Sequence, residues 1–197
     1  MGVRKAVPTD LIQIATIHKE QFKDHFLGHY SNKVIRKYYE PFLESCVFLV
    51  SESEGKLNGF IMGGLSSDLD EAKSVFLANN MARYIIETLL TPSVYRQAMK
   101  RLNLLKLLKP TTGEKGKQQW RLLSIAVSEN AKGTGISSKL VKEFEANIDF
   151  AEYGLSVHTN NSRAIHFYIK NGFKKTHEKG ETTFLIKDLE NINKKRA

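Results

Sequence analysis

Between Trp120 and Ile148 a strand, a turn with two glycines and an amphipathic helix follow one another, and this succession constrains the fold most strongly. Leu122, Leu123, Ile125 and Val127 make Trp120 to Val127 an apolar strand. The turn reads Glu129-Asn130-Ala131-Lys132-Gly133-Thr134-Gly135-Ile136, and Ile136, Leu140, Val141, Phe144 and Ile148 then mark one face of a helix. Gly133 and Gly135 carry no Cβ, so the backbone can approach a ligand closely. The first turn of the helix leaves N–H groups unpaired, and its dipole favours negative charge there. A pyrophosphate would fit. Two glycines alone are a weak signal, since a tight turn or helix cap uses the same pair. Neither common nucleotide motif is present: no Gly-Lys-Ser/Thr ending follows, and Ser138 stands where a dinucleotide fingerprint has its third glycine.

The rest of the chain alternates strands and helices. Val3 to Val7 reads as a strand, and Pro8 suits the entry to a helix capped by Thr9 or Asp10. Leu11, Ile14, Ala15, His18 and Phe22 form one apolar helical stripe. A second helix is expected from about Ser31 to Glu44, with Pro41 placed to shorten or kink it. Cys46 to Ser51 and Leu57 to Leu65 read as strands joined by Glu54-Gly55-Lys56. The region from about 66 to 118 is unusual. Val75 to Leu90 and Ser93 to Leu108 are apolar and helical in composition, Thr91-Pro92 separates them, and Pro110 to Lys117 reads as a loop.

Gly154 to Thr159 reads as a further strand, followed by Asn160-Asn161-Ser162-Arg163-Ala164-Ile165-His166-Phe167-Tyr168-Ile169-Lys170-Asn171-Gly172-Phe173. With this second segment the sequence resembles the GNAT acetyltransferase superfamily. Its members carry an Arg/Gln-x-x-Gly-x-Gly/Ala turn after the fourth strand. About one strand and one helix later they carry Asn-x-x-Ala, an aromatic-Tyr pair and Gly-Phe. Gly133 and Gly135 match the first motif; Asn161, Ala164, Tyr168, Gly172 and Phe173 match the second. The resemblance covers Trp120 to Leu189, extends more loosely over Met1 to Leu65, and is absent from the insertion. Asn130 departs from the pattern, standing where the family prefers Arg or Gln, although Lys132 lies close by.

The resemblance implies an α/β fold: a mixed, mostly antiparallel seven-stranded sheet splayed between strands 4 and 5, helices on both faces, and a helical insertion (about 66–118) between strands 3 and 4. The chain would form a single domain, with a basic, disordered tail from about 190 to 197. Acetyl-coenzyme A is the implied cosubstrate. The backbone of Ile125, Ala126 and Val127 would pair with its pantetheine arm like an added strand. Backbone N–H groups of Lys132, Gly133, Thr134, Gly135, Ile136 and Ser137 would hold the pyrophosphate, and Asn161 would reach the pantetheine region. Tyr168 falls where many members place the acid that protonates the departing thiolate; an ordinary phenol, with a pKa near 10, is protonated at neutral pH. A core aromatic is the plainer reading of the same residue.

The general base is not legible. An amine attacks a thioester only as its free base, so a proton acceptor or water chain is expected. Ser156 stands where some members carry a glutamate. His18 or His29 is the expected base; His158 and His25 are nearby alternatives, and a histidine on an apolar stripe, as His18 is, also serves as a hydrogen-bonded core residue.

Composition narrows the partners. The net charge of +9 admits nucleic acid, a polyanionic cofactor or a solvated basic face. The basic residues are not interleaved with aromatics and no nucleic-acid motif is present, so no nucleic acid is expected. The single cysteine, Cys46, reads as a core thiol. No apolar run reaches the length of a membrane span, no signal peptide or myristoylation pattern opens the chain, and no metal is expected. A cytoplasmic enzyme is the expectation. The first half loosely resembles GNAT enzymes of bacterial surface-polysaccharide synthesis, which implies an amino-sugar acceptor, nucleotide-linked or free. A peptide N-terminus, a lysine or a small amine is the alternative acceptor, and a non-catalytic binding module the alternative class. The apolar residues of the insertion must be buried on the domain itself, in a homodimer contact or along an acceptor pocket.

Overall fold

In a computed structural model the chain is described over residues 2–90, 92, 95–96 and 119–189. Seven strands form one sheet: β1 (Gly2–Lys5), β2 (Val47–Ser53), β3 (Lys56–Leu65), β4 (Trp120–Val127), β5 (Glu152–His158), β6 (Lys174–Lys179) and β7 (Thr182–Asp188). Their order is β1-β2-β3-β4-β5-β7-β6. Every neighbouring pair is antiparallel except β4 and β5. That parallel pair has only two rungs, Trp120 to Tyr153 and Arg121 to Gly154. Beyond Arg121 the strands part, so among the described residues the β5-facing edge of β4 has no partner strand from Leu122 to Val127. This is the splayed sheet that the sequence resemblance implies.

Side-chain alternation gives the sheet two apolar faces. Phe48, Val50, Phe60 and Met62 point to one, where α1 (Leu11–Gln21), α2 (Asn32–Tyr39), α3 (Phe42–Ser45) and α4 (Ser66–Leu90) gather. Leu49, Ile61, Leu122, Leu155 and Leu185 point to the other, against Ile136, Leu140, Val141 and Phe144 of α5 (Ile136–Ala146). Phe167 and Tyr168 of α6 (Ser162–Lys170) pack on the same side.

Local chemistry sets the element ends. Ser31 caps α2, its side chain accepting from Val34 N at 3.3 Å, and Pro41 ends the expected long helix by opening the separate short turn of α3. Asp10 stands at the N-cap of α1, but its carboxylate takes the Val7 N–H at 2.9 Å and the guanidinium of Arg4 rather than the helix's own amides. Cys46 is a buried free thiol whose pKa burial raises.

α4 is a single helix of 25 residues that starts directly at the end of β3. Leu69, Ala72 and Phe76 bury it on the domain. Farther along, Tyr84 stacks on Tyr30, Thr88 Oγ1 lies 2.7 Å from Tyr30 Oη, and Glu87 accepts from both the backbone and hydroxyl of Ser31. Its remaining apolar residues, among them Leu77, Met81, Ile85 and Leu89, are exposed among the described residues. The second expected helix, 93–108, lies outside them apart from Tyr95 and Arg96, as do the loop 110–117 and the tail from 190.

Candidate active site

A cleft of about 840 Å³ opens where β4 and β5 part. Leu123 to Val127 of β4 form its floor; Ser156, Val157 and His158 of β5 and Asn161, Phe167 and Tyr168 around α6 form one wall. The opposite wall is aromatic, with His18 and Phe22 of α1, Tyr38 and Tyr39 of α2, and Phe76, Leu77 and Tyr84 of α4.

The glycine turn lies at the end of β4. Gly133 has φ 80° and Gly135 φ 83°, the left-handed conformation that residues with a Cβ adopt at a cost. A Cβ at either position would meet nothing within 4 Å, so backbone conformation rather than space calls for glycine. Gly135 is the N-cap of α5 and supplies no side-chain cap, leaving first-turn N–H groups for a ligand. Lys132 and Ser137 line the cleft; Gly133, Thr134 and Gly135 are exposed at the turn, and the Ile136 side chain is buried in the core, leaving only its backbone to act. Gln21 Nε2 donates to Glu129 Oε1 at 3.0 Å, tying α1 to this turn, and the same carboxylate accepts from Lys132, which holds its pKa below the usual range.

Asn161 lines the cleft as the N-cap of α6, its Oδ1 accepting from Ala164 N at 3.1 Å. The Tyr168 ring packs against Phe167 and Phe173 at centroid distances of 5.3 and 5.4 Å. Burial pushes its phenol up to about 12, so it holds its proton across the neutral range.

The histidines separate. His18 is buried and on the cleft wall; its Nδ1 lies 2.7 Å from Tyr39 Oη, and its Nε2 is buried with no hydrogen-bond partner among the described residues. Burial, helped by the nearby His25, lowers its pKa to about 4. His25 and His158 also line the cleft, the latter 3.2 Å from Glu181. His29 is half-buried in the 3₁₀ turn Phe26–His29 and does not line the cleft. Tyr39 and Ser124 are wall positions that the sequence did not single out, whereas Phe76 and Leu77 belong to the apolar insertion for which a pocket was one of three expected places. Tyr39 reads there as one more apolar position in an amphipathic helix, and no local pattern joins it to Ser124, 85 residues away.

An open strand edge leading to an uncapped helix start at a glycine turn suits a long thioester whose amide-bearing arm adds as a strand and whose pyrophosphate meets the turn. Residues 107–175 match the family described as Acetyltransferase (GNAT) domain. Among solved structures, the chain is similar to an N-acetyltransferase from Staphylococcus aureus Mu50 (TM-score 0.65, 19% identity, covering 94% of this chain and 100% of that one). It is also similar to the PaiA N-acetyltransferase from Thermoplasma acidophilum in complex with coenzyme A (0.56, 18%, 95% and 98%). A third is Naa20 from Chaetomium thermophilum in complex with a bisubstrate analogue (0.57, 20%, 98% and 90%). No curated protein matches by sequence. The chain has the GNAT fold, and its residues 107–175 match the GNAT acetyltransferase domain. Among the described residues no cluster of side chains could hold a metal ion, and no helix is long and apolar enough to cross a membrane.

Proposed function

We propose that the enzyme transfers the acetyl group directly from acetyl-coenzyme A to the primary amine of a ring-bearing small molecule, an amino sugar in nucleotide-linked or free form. The observation that carries this reading is the continuity of the cleft: one wall offers the open edge of β4 and the glycine turn, the other an aromatic surface of Phe22, Tyr38, Phe76 and Tyr84 on which a ring can lie. Lys73 on the same wall supplies positive charge for a phosphate-bearing acceptor.

In this reading the backbone of Ile125 to Val127 aligns the donor arm, and the N–H groups of Lys132 to Ser137 hold its pyrophosphate. The amine nitrogen bonds to the acetyl carbon, the carbon–sulfur bond breaks, and Tyr168 gives its proton to the leaving sulfur and regains one from solvent. The amine's proton returns to solvent through the open cleft. Of the two histidines proposed to assist it, His18 is the one on the cleft wall, and it is held neutral there. A panel of amines that includes nucleotide-linked amino sugars, free amino sugars, lysine peptides and peptide N-termini, read by release of the coenzyme A thiol, tests the assignment. Turnover of the peptides with none of the sugars would overturn the acceptor.

A further inference from the structure

The least explained group on the cleft wall is His18. It is 6% exposed, and its Nε2 has no hydrogen-bond partner among the described residues. From its Nδ1 the contacts run outward: 2.7 Å to Tyr39 Oη, then 3.4 Å from Tyr39 Oη to Ser124 Oγ. Ser124 lies on β4 beside Ile125 and lines the cleft, in the stretch where β4 has no partner on its β5 side.

The orphaned nitrogen sets the direction of this chain. A buried N–H without an acceptor is rarer in folded proteins than a buried acceptor without a donor. The favoured tautomer of His18 therefore leaves Nε2 bare and carries its hydrogen on Nδ1. Nδ1–H then donates to Tyr39 Oη, and the Tyr39 hydroxyl, which burial keeps protonated, donates onward to Ser124 Oγ. Ser124 accepts that bond, so its own hydrogen is left to point into the cleft. Each bond polarises the next. The chain ends in a strengthened donor on the strand that the donor arm follows.

We propose that Ser124, polarised through Tyr39 and His18, donates a hydrogen bond to the acetyl carbonyl oxygen and stabilises the negative charge that gathers there as the amine attacks. Ser124 is then a catalytic residue; in this step Tyr39 and His18 act through it, as positioning residues. No proton leaves the chain in this step: the carbonyl π electrons move to oxygen as the nitrogen–carbon bond forms, and return as the sulfur departs. The inference rests on the acetyltransferase reading of the same cleft.

The test uses acetyl-coenzyme A labelled with carbon-13 at the carbonyl, bound to the whole protein and followed by isotope-edited infrared spectroscopy. The wild type is expected to shift the carbonyl band to lower frequency than in water. Ser124→Ala should abolish the shift, Tyr39→Phe should abolish or halve it, and Ser124→Thr should keep it. In turnover, loss of such a donor is expected to cost on the order of a hundredfold. Nitrogen-15 spectra of His18 should show the hydrogen on Nδ1. A carbonyl band unchanged by Ser124→Ala, with thermal stabilisation by acetyl-coenzyme A intact, overturns the relay and leaves the acetyltransferase reading standing. A hydrogen found on Nε2 overturns the polarity of the chain. A wild type that acetyl-coenzyme A does not stabilise overturns both readings together.

Discussion

The ring of Tyr84 on α4 lies stacked on that of Tyr30, with centroids 5.0 Å apart and planes 11° from parallel. The contact fixes the insertion helix beside the opening of the cleft, where Leu77 and Tyr84 both line the wall. Tyr84→Ala should therefore raise the Michaelis constant for the amine by about tenfold, equivalent to ~1.4 kcal/mol of lost contact. Thermal stabilisation by acetyl-coenzyme A should stay as in the wild type. Equal weakening of both substrates would make α4 scaffold alone.

Gly133→Ala and Gly135→Ala each place a side chain on backbone at φ near 80°. Holding that conformation should cost about 1–2 kcal/mol, visible as a lower melting temperature. If the turn relaxes instead, its N–H groups swing away and acetyl-coenzyme A should lose its stabilising effect. Calorimetry with and without ligand separates the outcomes. A variant with wild-type stability and wild-type ligand response would show that the turn holds no pyrophosphate.

Tyr168→Phe keeps the ring packing against Phe167 and Phe173 and removes only the hydroxyl. Turnover should fall by about ten- to a thousandfold, from the loss of a proton donor, while ligand binding stays intact. Because the folded pKa is raised to about 12, Tyr168 should contribute no falling limb to the pH–rate profile below that value. Wild-type turnover in this variant would assign the thiolate's proton to water.

His18 makes stability depend on acid. Its folded pKa is lowered to about 4 from an ordinary 6.5, so the unfolded chain takes the proton first. Its contribution is fully present above pH 6.5 and is lost as pH falls through about 4. His18→Gln, which can still bond Tyr39 but does not titrate, should flatten the loss between those limits. Denaturant midpoints at a series of pH values measure it, and an unchanged slope would mean that other groups govern the acid limb.

Lys187 on β7 and Glu145 on α5 form an ion pair with side chains only 10% and 13% exposed, and Tyr153 donates to the same carboxylate at 2.6 Å. Removing one partner strands a buried charge. Lys187→Met should cost about 3–5 kcal/mol, and the double change Lys187→Met with Glu145→Leu should recover much of it. Equal losses in single and double variants would show that packing, not charge, holds the contact.

The part of the site legible in the sequence is the part built from neighbours in the chain. The strand Trp120 to Val127, the two glycines and the stripe from Ile136 to Phe144 lie within one short stretch, and each signals its own conformation. Asn161 was legible only through the resemblance, from its Asn-x-x-Ala spacing to Ala164, and the structure gives it the further part of capping α6. The acceptor wall was not legible. His18 and Tyr39 are 21 residues apart, and Tyr39 and Ser124 85 apart. Each lies on a periodic apolar pattern that describes burial, and nothing in such a pattern tells a polar atom which other element it will meet. α4 was legible as an apolar helical segment over Val75 to Leu90, within an insertion expected from about 66, and the structure carries the same helix back to Ser66.

Only two backbone rungs join β4 to β5, yet Leu122 on one strand and Leu155 on the other belong to the same apolar cluster as Leu140 and Phe144 of α5. The helix that begins at the glycine turn is thus also the clasp across the gap in the sheet. Where hydrogen bonds would fix a spacing, side-chain volume fixes it here. Phe144 touches both strands, its ring 6.4 Å from that of Trp120 on β4 and 5.7 Å from that of Tyr153 on β5, with Leu140 buried one turn before it, and close-packed interiors transmit changes of volume rather than absorb them. Variation at these positions would retune how far the two walls stand apart without altering a single group that lines them.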